Sequence, residues 1–362
     1  MGQAALTQQV DNIRIKRIDL LKQQLDGDLT TAFDDYAAIY HEFGIDWLRN
    51  LAATALPACE RGYIYVASLS PAEFVACPVR LNQQTGHLHA LSNYYSSLYS
   101  PVVRTKQPRT LFTALFRFIA KTEGVNAITL SPFDVESPVY FDIQAALQDA
   151  GWKGLHTWSC FANWTHTVLD NSYQTYFSSL PSKVRNTVDR KSRKFLQTGR
   201  GELRLVKNSE ALPGAIEQFQ SVYQRSWKNE EPHPAFIPGL LELAARKGWL
   251  RLGIASYDGK PVAAQLWLVN NSTAFIFKLA YDEDYKRLSP GTVLTAYLME
   301  HVISVDGVTI IDYLTGDDAY KQDWMSARRE RMGIAAYNTG NIKGLAAYTS
   351  HRLKGLAKKM LR

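Results

Sequence analysis

Apolar and polar positions follow two periodicities along the chain, and each periodicity predicts a different kind of secondary structure. In the first half they predict a polar N-terminal segment followed by helices, where apolar positions recur every three or four residues, and strands, where they alternate. The predicted order is a helix near 30–56, strands over 62–69, 73–82 and 86–92, a helix over 109–123, a strand over 126–133, a helix over 139–151 and a long strand around 155–169.

The second half repeats the same kinds of pattern. The predicted order is a helix over 173–198, a strand over 201–206, helices near 210–228 and 236–247, strands over 249–259, 261–270 and 272–282, a helix over 292–305, a strand over 308–316, a helix from about Ala319, a strand over 332–339 and a closing basic helix.

The order of elements is shared by the two halves: helix, three strands, helix, strand, helix, strand. Three antiparallel strands followed by strand, helix and strand form a mixed sheet with helices on its faces. We therefore predict an α/β (α+β) protein with two copies of one fold, each a mixed, mostly antiparallel sheet flanked by helices. The predicted domains are 1–168 and 169–340, followed by a basic helix over 341–362.

Composition places the chain among globular proteins. Hydrophobic residues make up 46% of it and aromatic residues 12%, enough to build cores and too many for a disordered chain. Its 3 cysteines lie far apart, which suits a reducing compartment better than a disulfide framework. No apolar run reaches the ~20 residues of a membrane span, and the N-terminus lacks the apolar core of a signal peptide. These features predict a cytoplasmic protein.

The net charge of +7 is concentrated in two segments. Residues 183–204 carry eight Lys/Arg against two Asp/Glu, and residues 331–362 carry seven Lys/Arg and no acid. Two local basic patches imply an anionic partner more strongly than the total does. Nucleic acid, an anionic membrane surface and a phosphorylated cofactor all meet that description.

The stretch KRLSPGTV joins a predicted strand to a predicted helix. We expect the Ser289 hydroxyl to cap the helix, Pro290 to occupy its first position, and Gly291 to let a ligand approach the backbone. Free amides at a helix start favour an anion. The candidate anion site comprises Lys286, Arg287, Ser289, Gly291 and Thr292. The alternative is an ordinary capped helix with solvated cations.

A lysine interrupts the strand before this stretch. Alternation places Lys278 with Ala274, Ile276 and Ala280 on one face of the strand. A lysine among apolar residues needs a partner or a function. One interpretation is a site residue, and the other is a structural ion pair with Asp312 on the neighbouring strand.

The element order and this strand–loop–helix resemble the Gcn5-related N-acetyltransferase (GNAT) superfamily, in which the loop holds the pyrophosphate of coenzyme A. Lys286 takes the cation position of that loop, and Ser289 and Gly291 take its two glycine positions. The stretches SWKNEEPHPAF, IFKLAYDEDYKRLSPGTVL and IDYLTGDDAYKQDW resemble more closely the FemAB-like or CelD-like branch, which carries two such folds in tandem and is associated with bacterial envelope and exopolysaccharide work. The resemblance is strongest over 173–338.

The resemblance implies roles for further residues. A tyrosine on the helix after IDYLTGDD often protonates the departing thiolate in this superfamily, so Tyr320 is the candidate general acid; the alternative is a core tyrosine. Asp312 is a candidate to orient the amine. Glu230, with Glu231 and His233 beside it, is a candidate proton acceptor; the alternative for each of the three is a solvated loop residue. The remaining candidates on the substrate side are Trp227, Asp317 and Lys321; Asp317 is alternatively a helix cap.

The corresponding loop of the first half lacks the Ser-Pro-Gly turn and is rich in tyrosine. Tyr94 and Tyr95, with small polar neighbours, suit an acceptor bearing hydroxyl or amino groups, because aromatic rings stack on sugars. The alternative is a structural loop.

These observations lead to one functional prediction with two rivals. The chain is predicted to be an acyltransferase that uses acetyl-CoA or another acyl-CoA, without a metal, and acts on a small-molecule or glycan- or lipid-linked amine in envelope or exopolysaccharide biosynthesis. One rival is a FemAB-type aminoacyltransferase that uses charged tRNA, with residues 183–204 as its footprint. The other is a non-catalytic glycan-binding protein of envelope synthesis.

The closing basic helix is predicted to contact an anionic membrane from the cytoplasmic side. Its apolar positions are Leu345, Leu353, Leu356 and Met360. The cations expected to attract lipid are Lys354, Lys358, Lys359 and Arg362. The alternative is a helix docked against the protein.

Overall fold

The structure is a computed structural model that describes residues 7–10, 12–197 and 199–360. Its strands are β1 Thr7–Val10, β2 Ile13–Asp19, β3 Glu60–Ser70, β4 Glu73–Asn82, β5 His87–Ala90, β6 Val102–Arg104, β7 Ala127–Asp134, β8 Lys153–Thr167, β9 Gly201–Val206, β10 Leu250–Tyr257, β11 Lys260–Asn270, β12 Thr273–Tyr281, β13 Ile310–Asp312 and β14 Ala327–Tyr337. Its α-helices are α1 Gly27–Ile39, α2 Ile45–Thr54, α3 Pro108–Thr122, α4 Pro138–Asp149, α5 Tyr173–Ser179, α6 Ser182–Leu196, α7 Leu212–Gln224, α8 Phe236–Arg246, α9 Pro290–Ser304, α10 Ala319–Gln322 and α11 Ile342–Met360.

The chain forms two compact units. Unit 1 comprises residues 1–161 and 330–362, and unit 2 comprises residues 162–329. Each unit has its own apolar core, built in unit 1 around α3, α4 and the central strands, and in unit 2 around α6, α9 and β10–β12. The domain division at 168 and 340 stays a prediction, whereas the compact units place residues 330–362 with the first part of the chain.

The sheets of the two units share one pattern. In unit 1, β1–β5 are joined by antiparallel pairs, β5 pairs with β7 in parallel, and β7 pairs antiparallel with residues 331–337 of β14. In unit 2, β9–β12 are antiparallel, β12 pairs with β13 in parallel, and β13 pairs antiparallel with residues 165–167 of β8. The predicted repeated, mixed sheet is confirmed.

The final strand of each pattern comes from an unexpected place. The repeated order assigns β8 to the first copy and β14 to the second, yet unit 1 uses residues 331–337 and unit 2 uses residues 165–167. Each unit is therefore completed by the strand that sequence order would give to the other.

Several predicted elements differ in extent. The helix expected over 173–198 is divided into α5 and α6, because Pro181 has no N–H and keeps Leu180 extended at ψ 153°. The helix expected over 30–56 is α1 and α2, with a short 3₁₀ turn at His41–Phe43 between them. The strand expected over 308–316 ends at Asp312, since Leu314 adopts a left-handed φ of 56° and Gly316 a φ of 104°. Strands β1, β2 and β6 were not predicted.

The basic C-terminal helix docks within unit 1 through its described side chains. Tyr348 and His351 contact the ring of Tyr337, and the His351 ring stacks on His156 at 4.2 Å. Leu345 and Leu353 are exposed. Side chains are described up to residue 353, so Lys354, Leu356, Lys358, Lys359, Met360 and Arg362 lie outside the described side chains. Among the described helices, none combines the length and the apolar character needed to cross a bilayer.

Candidate active site

The start of α9 is the part of unit 2 that the sequence singled out as an anion site. A 3₁₀ helix, Glu283–Leu288, leads into it, and Lys286 and Arg287 are exposed. Pro290 occupies the first helical position as predicted. The cap prediction is wrong in its detail: Ser289 adopts a left-handed conformation, with φ 53° and ψ 48°, and its hydroxyl makes no capping hydrogen bond. Its carbonyl instead accepts from Val293 N–H at 3.1 Å.

The amides of Gly291 and Thr292 lie in the first turn of α9, where an α-helix offers no backbone acceptor. That turn is fixed from within the core. Gln265, only 1% exposed, donates from Nε2 to the Gly291 carbonyl at 2.9 Å, and its Oε1 accepts from the indole of Trp267 at 3.0 Å. Thr295 also donates to the Gly291 carbonyl, at 2.9 Å.

Gly291 packs closely against the ring of Tyr281. A Cβ at this position would lie 3.2 Å from Cδ1 of the Tyr281 ring. The ring of Tyr281 in turn lies 4.5 Å from that of Trp227, which is 48% exposed. The start of α9 and the loop that follows α7 are therefore linked by a short chain of aromatic contacts.

The loop before α9 carries cations on its outer side and is anchored on its inner side. Asp282, buried, pairs with Arg225 at 2.7 Å and with Lys260 at 3.1 Å. Burial would raise the pKa of Asp282, but these hydrogen bonds lower it overall. Nζ of Lys191, on α6, donates to the carbonyl of Arg287. The cationic face of α6 therefore adjoins Lys286 and Arg287.

The expected ion pair of Lys278 with Asp312 is replaced by another. Nζ of Lys278 donates to Oε2 of Glu231 at 2.7 Å, and Lys278 is 7% exposed. The β12–β13 register pairs Asp312 with Phe275, three residues from Lys278 along the strand. Burial lowers the pKa of Lys278, and the Glu231 carboxylate opposes that shift. Glu230, the neighbour named as proton acceptor, is exposed.

Asp312 holds the turn that follows β13. Its Oδ1 accepts from Asn163 Nδ2 at 2.6 Å and from the Leu314 amide at 2.6 Å. Asn163 also donates to the Leu314 carbonyl at 2.8 Å. Because Leu314 is in a left-handed conformation that a leucine seldom adopts, these bonds stabilise a strained turn beside the site.

Asp317 does not cap α10. Its carboxylate pairs with Arg328 at 2.8 Å and accepts from the indole of Trp164 at 2.7 Å. Asp318 occupies the cap position without a side-chain capping bond and pairs instead with Lys321 at 3.1 Å. Lys321, 4% exposed, also donates to the carbonyls of Thr315 and Gly316.

Tyr320 lies in the single turn of α10 and is 41% exposed. Its ring packs edge-on against Tyr313 at 5.8 Å. Burial raises the pKa of Tyr320, and the charge of Asp318 adds to the shift. The hydroxyl therefore keeps its proton at neutral pH.

A cavity of about 530 Å³ lies beside the Lys278–Glu231 pair. Its apolar wall includes Phe219, Tyr223 and Ile237, and its charged residues are Lys228, Glu230 and Glu231. Sequence reasoning missed Lys228, Gln265 and Asn163. Lys228 could have been identified as a site residue, because it lies between Trp227 and an Asn-Glu-Glu run. Nothing in the local sequence distinguishes Gln265 or Asn163.

The tyrosines proposed for acceptor binding in unit 1 have different surroundings. Tyr94 is 63% exposed, but Tyr95 is 3% exposed and packs edge-on against Tyr94, so Tyr95 is a core residue rather than a surface platform. The loop that carries them is held by Glu42, whose carboxylate accepts from the amide of Ser97 at 2.8 Å and from its hydroxyl at 2.7 Å. The alternative of a structural loop is closer to what is observed.

Comparison with known proteins agrees with this architecture. Residues 182–322 match the sequence model of the acetyltransferase (GNAT) domain. No curated protein gave a sequence match. Among solved structures, FemX is similar with a TM-score of 0.59 and 12% identity, over 86% of this chain and 96% of FemX. The C-terminal domain (DUF2156) of a predicted lysylphosphatidylglycerol synthetase from Agrobacterium fabrum is similar with a TM-score of 0.52 and 13% identity, over 90% of this chain and 96% of that domain.

At these identities the solved structures establish the fold, and the match over 182–322 covers α6 through α10, which include the start of α9 and Tyr320. The two tandem GNAT-like folds predicted from the element order are confirmed. The match disfavours the non-catalytic alternative. Residues 182–322 therefore carry a GNAT acetyltransferase domain, and the chain shares its fold with FemX.

Proposed function

We propose that this acyltransferase takes its acyl group from a coenzyme A thioester and transfers it to an amine. The observation that carries the proposal is the start of α9. Two exposed cations, Lys286 and Arg287, precede a helical turn whose Gly291 and Thr292 amides lack backbone acceptors and whose position is fixed by Gln265. Amide donors, helix dipole and cations together suit the pyrophosphate of coenzyme A.

The edge of β12 supports the same assignment. Pairing with β13 covers only three residue pairs and ends at Phe275–Asp312, while β12 continues to Tyr281. The acyl-bearing arm of the donor would extend along this edge, away from the α9 turn. The thioester would then lie on the side of unit 2 that carries Asp312, Lys278 and Tyr320.

In the proposed reaction the amine nitrogen attacks the thioester carbonyl, an amide bond forms, and the C–S bond breaks. The ammonium form of the acceptor must first lose a proton, and exposed Glu230 is the proposed acceptor for it. The departing thiolate gains a proton from the Tyr320 hydroxyl, which is neutral at physiological pH. Asp312 positions the turn through Leu314, and Lys321 braces the carbonyls of Thr315 and Gly316.

The acceptor is proposed to be an amine of bacterial envelope or exopolysaccharide biosynthesis, small or linked to a glycan or lipid, as in the CelD-like branch. The name of the similar synthetase domain from Agrobacterium fabrum points to a lipid-linked acceptor for that protein. We further propose cytoplasmic action, with α11 as a peripheral contact to anionic membrane. Trp227, which is exposed, is the proposed aromatic contact for the acceptor.

A second candidate donor is aminoacyl-tRNA. The observation favouring it is the bond from Lys191 to the Arg287 carbonyl, which joins the cations of α6 to the candidate phosphate site. Burial lowers the pKa of Lys191, and the charges of Arg190 and Lys194 add to the effect. An RNA backbone would relieve that repulsion.

Thermal stabilisation by acetyl-CoA, a long-chain acyl-CoA and an aminoacyl-tRNA, measured side by side, tests the donor. Coenzyme A species are expected to raise the melting temperature of the wild type and to do so less in Lys286→Ala, where losing one exposed phosphate contact should weaken binding by about 1–2 kcal/mol. Lys207→Ala, an exposed lysine elsewhere in unit 2, is the matched control. Stabilisation by aminoacyl-tRNA alone would reject the coenzyme A proposal.

A further inference from the structure

Lys228 differs from the other two buried or half-buried lysines around it. Lys278 pairs with Glu231, and Lys321 pairs with Asp318. Within the described part of the chain, Lys228 has no carboxylate at ion-pair distance. Its ammonium lies instead over two aromatic rings, 5.7 Å from the centre of Trp227 and 6.0 Å from that of Tyr223. Aromatic faces attract a cation but do not neutralise it.

The surroundings of Lys228 disfavour its positive charge. Burial lowers its pKa to about 8, and the charges of Lys278 and Lys321 add to the shift. The charges of Asp318 and Glu231 oppose this lowering of the pKa, but neither carboxylate forms an ion pair with Lys228. A cation in this position gains from an incoming anion, which would replace lost hydration with a charge-assisted hydrogen bond.

Lys228 lines the 530 Å³ cavity together with groups of the opposite charge. Glu230 and Glu231 belong to the same lining, while Phe219, Tyr223 and Ile237 supply apolar surface. An amine without an anionic group would, once protonated, be attracted to Glu230 but repelled by Lys228. A ligand that carries both a cation and an anion matches both ends.

We propose that this cavity binds the acceptor as an amine that also bears a carboxylate or phosphate, with Lys228 holding the anion and Glu230 the ammonium. This inference rests on the proposed amine acylation, and it narrows the acceptor to a zwitterionic class. Carboxylate and phosphate both accept hydrogen bonds from an ammonium, so the chemistry they share is an anionic oxygen. Which of the two is preferred is decided by matched probes.

Isothermal titration calorimetry with two probe pairs measures the contribution of the anion. The pairs are glucosamine with glucosamine 6-phosphate, and β-alanine methyl ester with β-alanine. The wild type is expected to bind the anionic member of at least one pair ~10-fold more tightly, the equivalent of one favourable ion pair. The pair with the larger difference identifies phosphate or carboxylate as the preferred anion.

Variants of Lys228 assign the preference. Lys228→Met removes the charge while keeping most of the length of the side chain, and it should reduce the difference within the pair to about twofold or less, while Lys228→Arg should retain most of the difference. Lys207→Met is the control and should bind as the wild type does. Melting temperatures of all variants establish that they are folded. Equal affinities within both pairs for the wild type, no binding of any probe at millimolar concentration, or an undiminished preference in folded Lys228→Met overturns the inference.

Mass spectrometry of the same mixtures after addition of acetyl-CoA separates this inference from the proposed function. Preferential binding of an anionic amine that is never acylated by any tested donor contradicts the amine acylation and leaves the zwitterion site standing. Acylation of neutral and anionic amines with equal efficiency supports the proposed function and rejects the zwitterion site.

Discussion

Nζ of Lys278 lies 2.7 Å from Oε2 of Glu231, and the two side chains retain 7% and 13% of their exposure. The pair joins the centre of strand β12 to the loop after α7, which also carries Trp227 and Lys228. It thus connects the sheet of unit 2 to the wall of the cavity. The ion pair sets the distance between the two.

Lys278→Met should destabilise unit 2. Removing one partner leaves a largely buried carboxylate without its cation, which costs about 3–5 kcal/mol in such pairs. The double variant Lys278→Met/Glu231→Gln should recover at least half of that loss, because a neutral side chain at position 231 no longer needs the Lys278 cation. Urea unfolding of both variants, with Lys207→Met as an exposed control, measures the difference. A double variant no more stable than the single one contradicts this account.

Gln265→Met should weaken coenzyme A binding without contacting the ligand. The substitution removes the donor to the Gly291 carbonyl and the acceptor for the Trp267 indole, so the first turn of α9 loses its internal support. We expect a loss of about 1–2 kcal/mol in stability and a rise of ~10-fold in the dissociation constant of coenzyme A, with a smaller change in turnover at saturation.

The measurement that separates this positioning role from general destabilisation is the binding constant well below the melting temperature. Tyr297→Phe, a conservative change on the same helix, serves as the control. Coenzyme A affinity equal to that of the wild type would show that the turn is held without Gln265.

Tyr320→Phe tests the proton donor. The ring and its packing on Tyr313 remain, so stability should change little, while the hydroxyl proton is lost. Turnover should fall by ~10²–10⁴-fold with coenzyme A binding preserved. The deficit should shrink with an acyl donor whose thiol is more acidic. Unchanged turnover with the natural donor, once the chemical step limits the rate, would remove Tyr320 from the mechanism and leave water as the proton source.

Anion binding at Lys228 should be sensitive to pH. Since its pKa is lowered to about 8, the free ammonium loses its proton well below the usual range for lysine. The groups that face it are Lys278, Lys321, Asp318 and Glu231, and the anion itself will raise the pKa in the complex. The affinity for β-alanine, whose own carboxyl and amino groups titrate well outside this range, should therefore be constant between about pH 6 and 7 and decline as the pH rises through 8. An affinity flat to pH 10 contradicts the assignment.

His41 should make unit 1 sensitive to acid. It is 1% exposed, with its ring 5.1 Å from that of Trp47, and burial lowers its pKa to about 3. Between pH 6.5 and 3 the unfolded chain takes up a proton that the folded chain does not, so the free energy of unfolding falls as the pH decreases through this window. At the acid end of this window the free energy of unfolding is lower by about 3–5 kcal/mol. His41→Phe should flatten this part of the pH–stability curve.

Much of the fold follows from periodicity, because most strands of both units are long enough to show it. Strands β3, β4, β10, β11 and β12 and helices α3, α4 and α9 lie within a few residues of their predicted bounds. Pro181 is a local signal for a helix break after Leu180. It was overlooked because the helical periodicity on both sides predicts one continuous helix. Strands β1 and β2 escaped prediction because β1 spans only four residues and charged residues interrupt the isoleucines of β2.

The site was less predictable, for a physical reason. The helix start at Pro290 is a local feature and could be found. The Lys278–Glu231 pair, the Gln265 bond to Gly291 and the Asn163 bond to Asp312 join residues 26 to 149 positions apart, and no local pattern encodes such partners. The left-handed conformation of Ser289 was not predicted either, since a serine that caps a helix usually has an extended backbone.

The exchange of final strands determines the order in which the chain can complete its folding during synthesis. Residues 162–329 leave the ribosome as one continuous stretch, so unit 2 can close while the rest of the chain is still being made. Unit 1 must keep the β7 edge open until residues 331–337 emerge. For the time needed to translate about 200 residues after Asp134, roughly 10–40 s, that edge is open to mispairing and to chaperones.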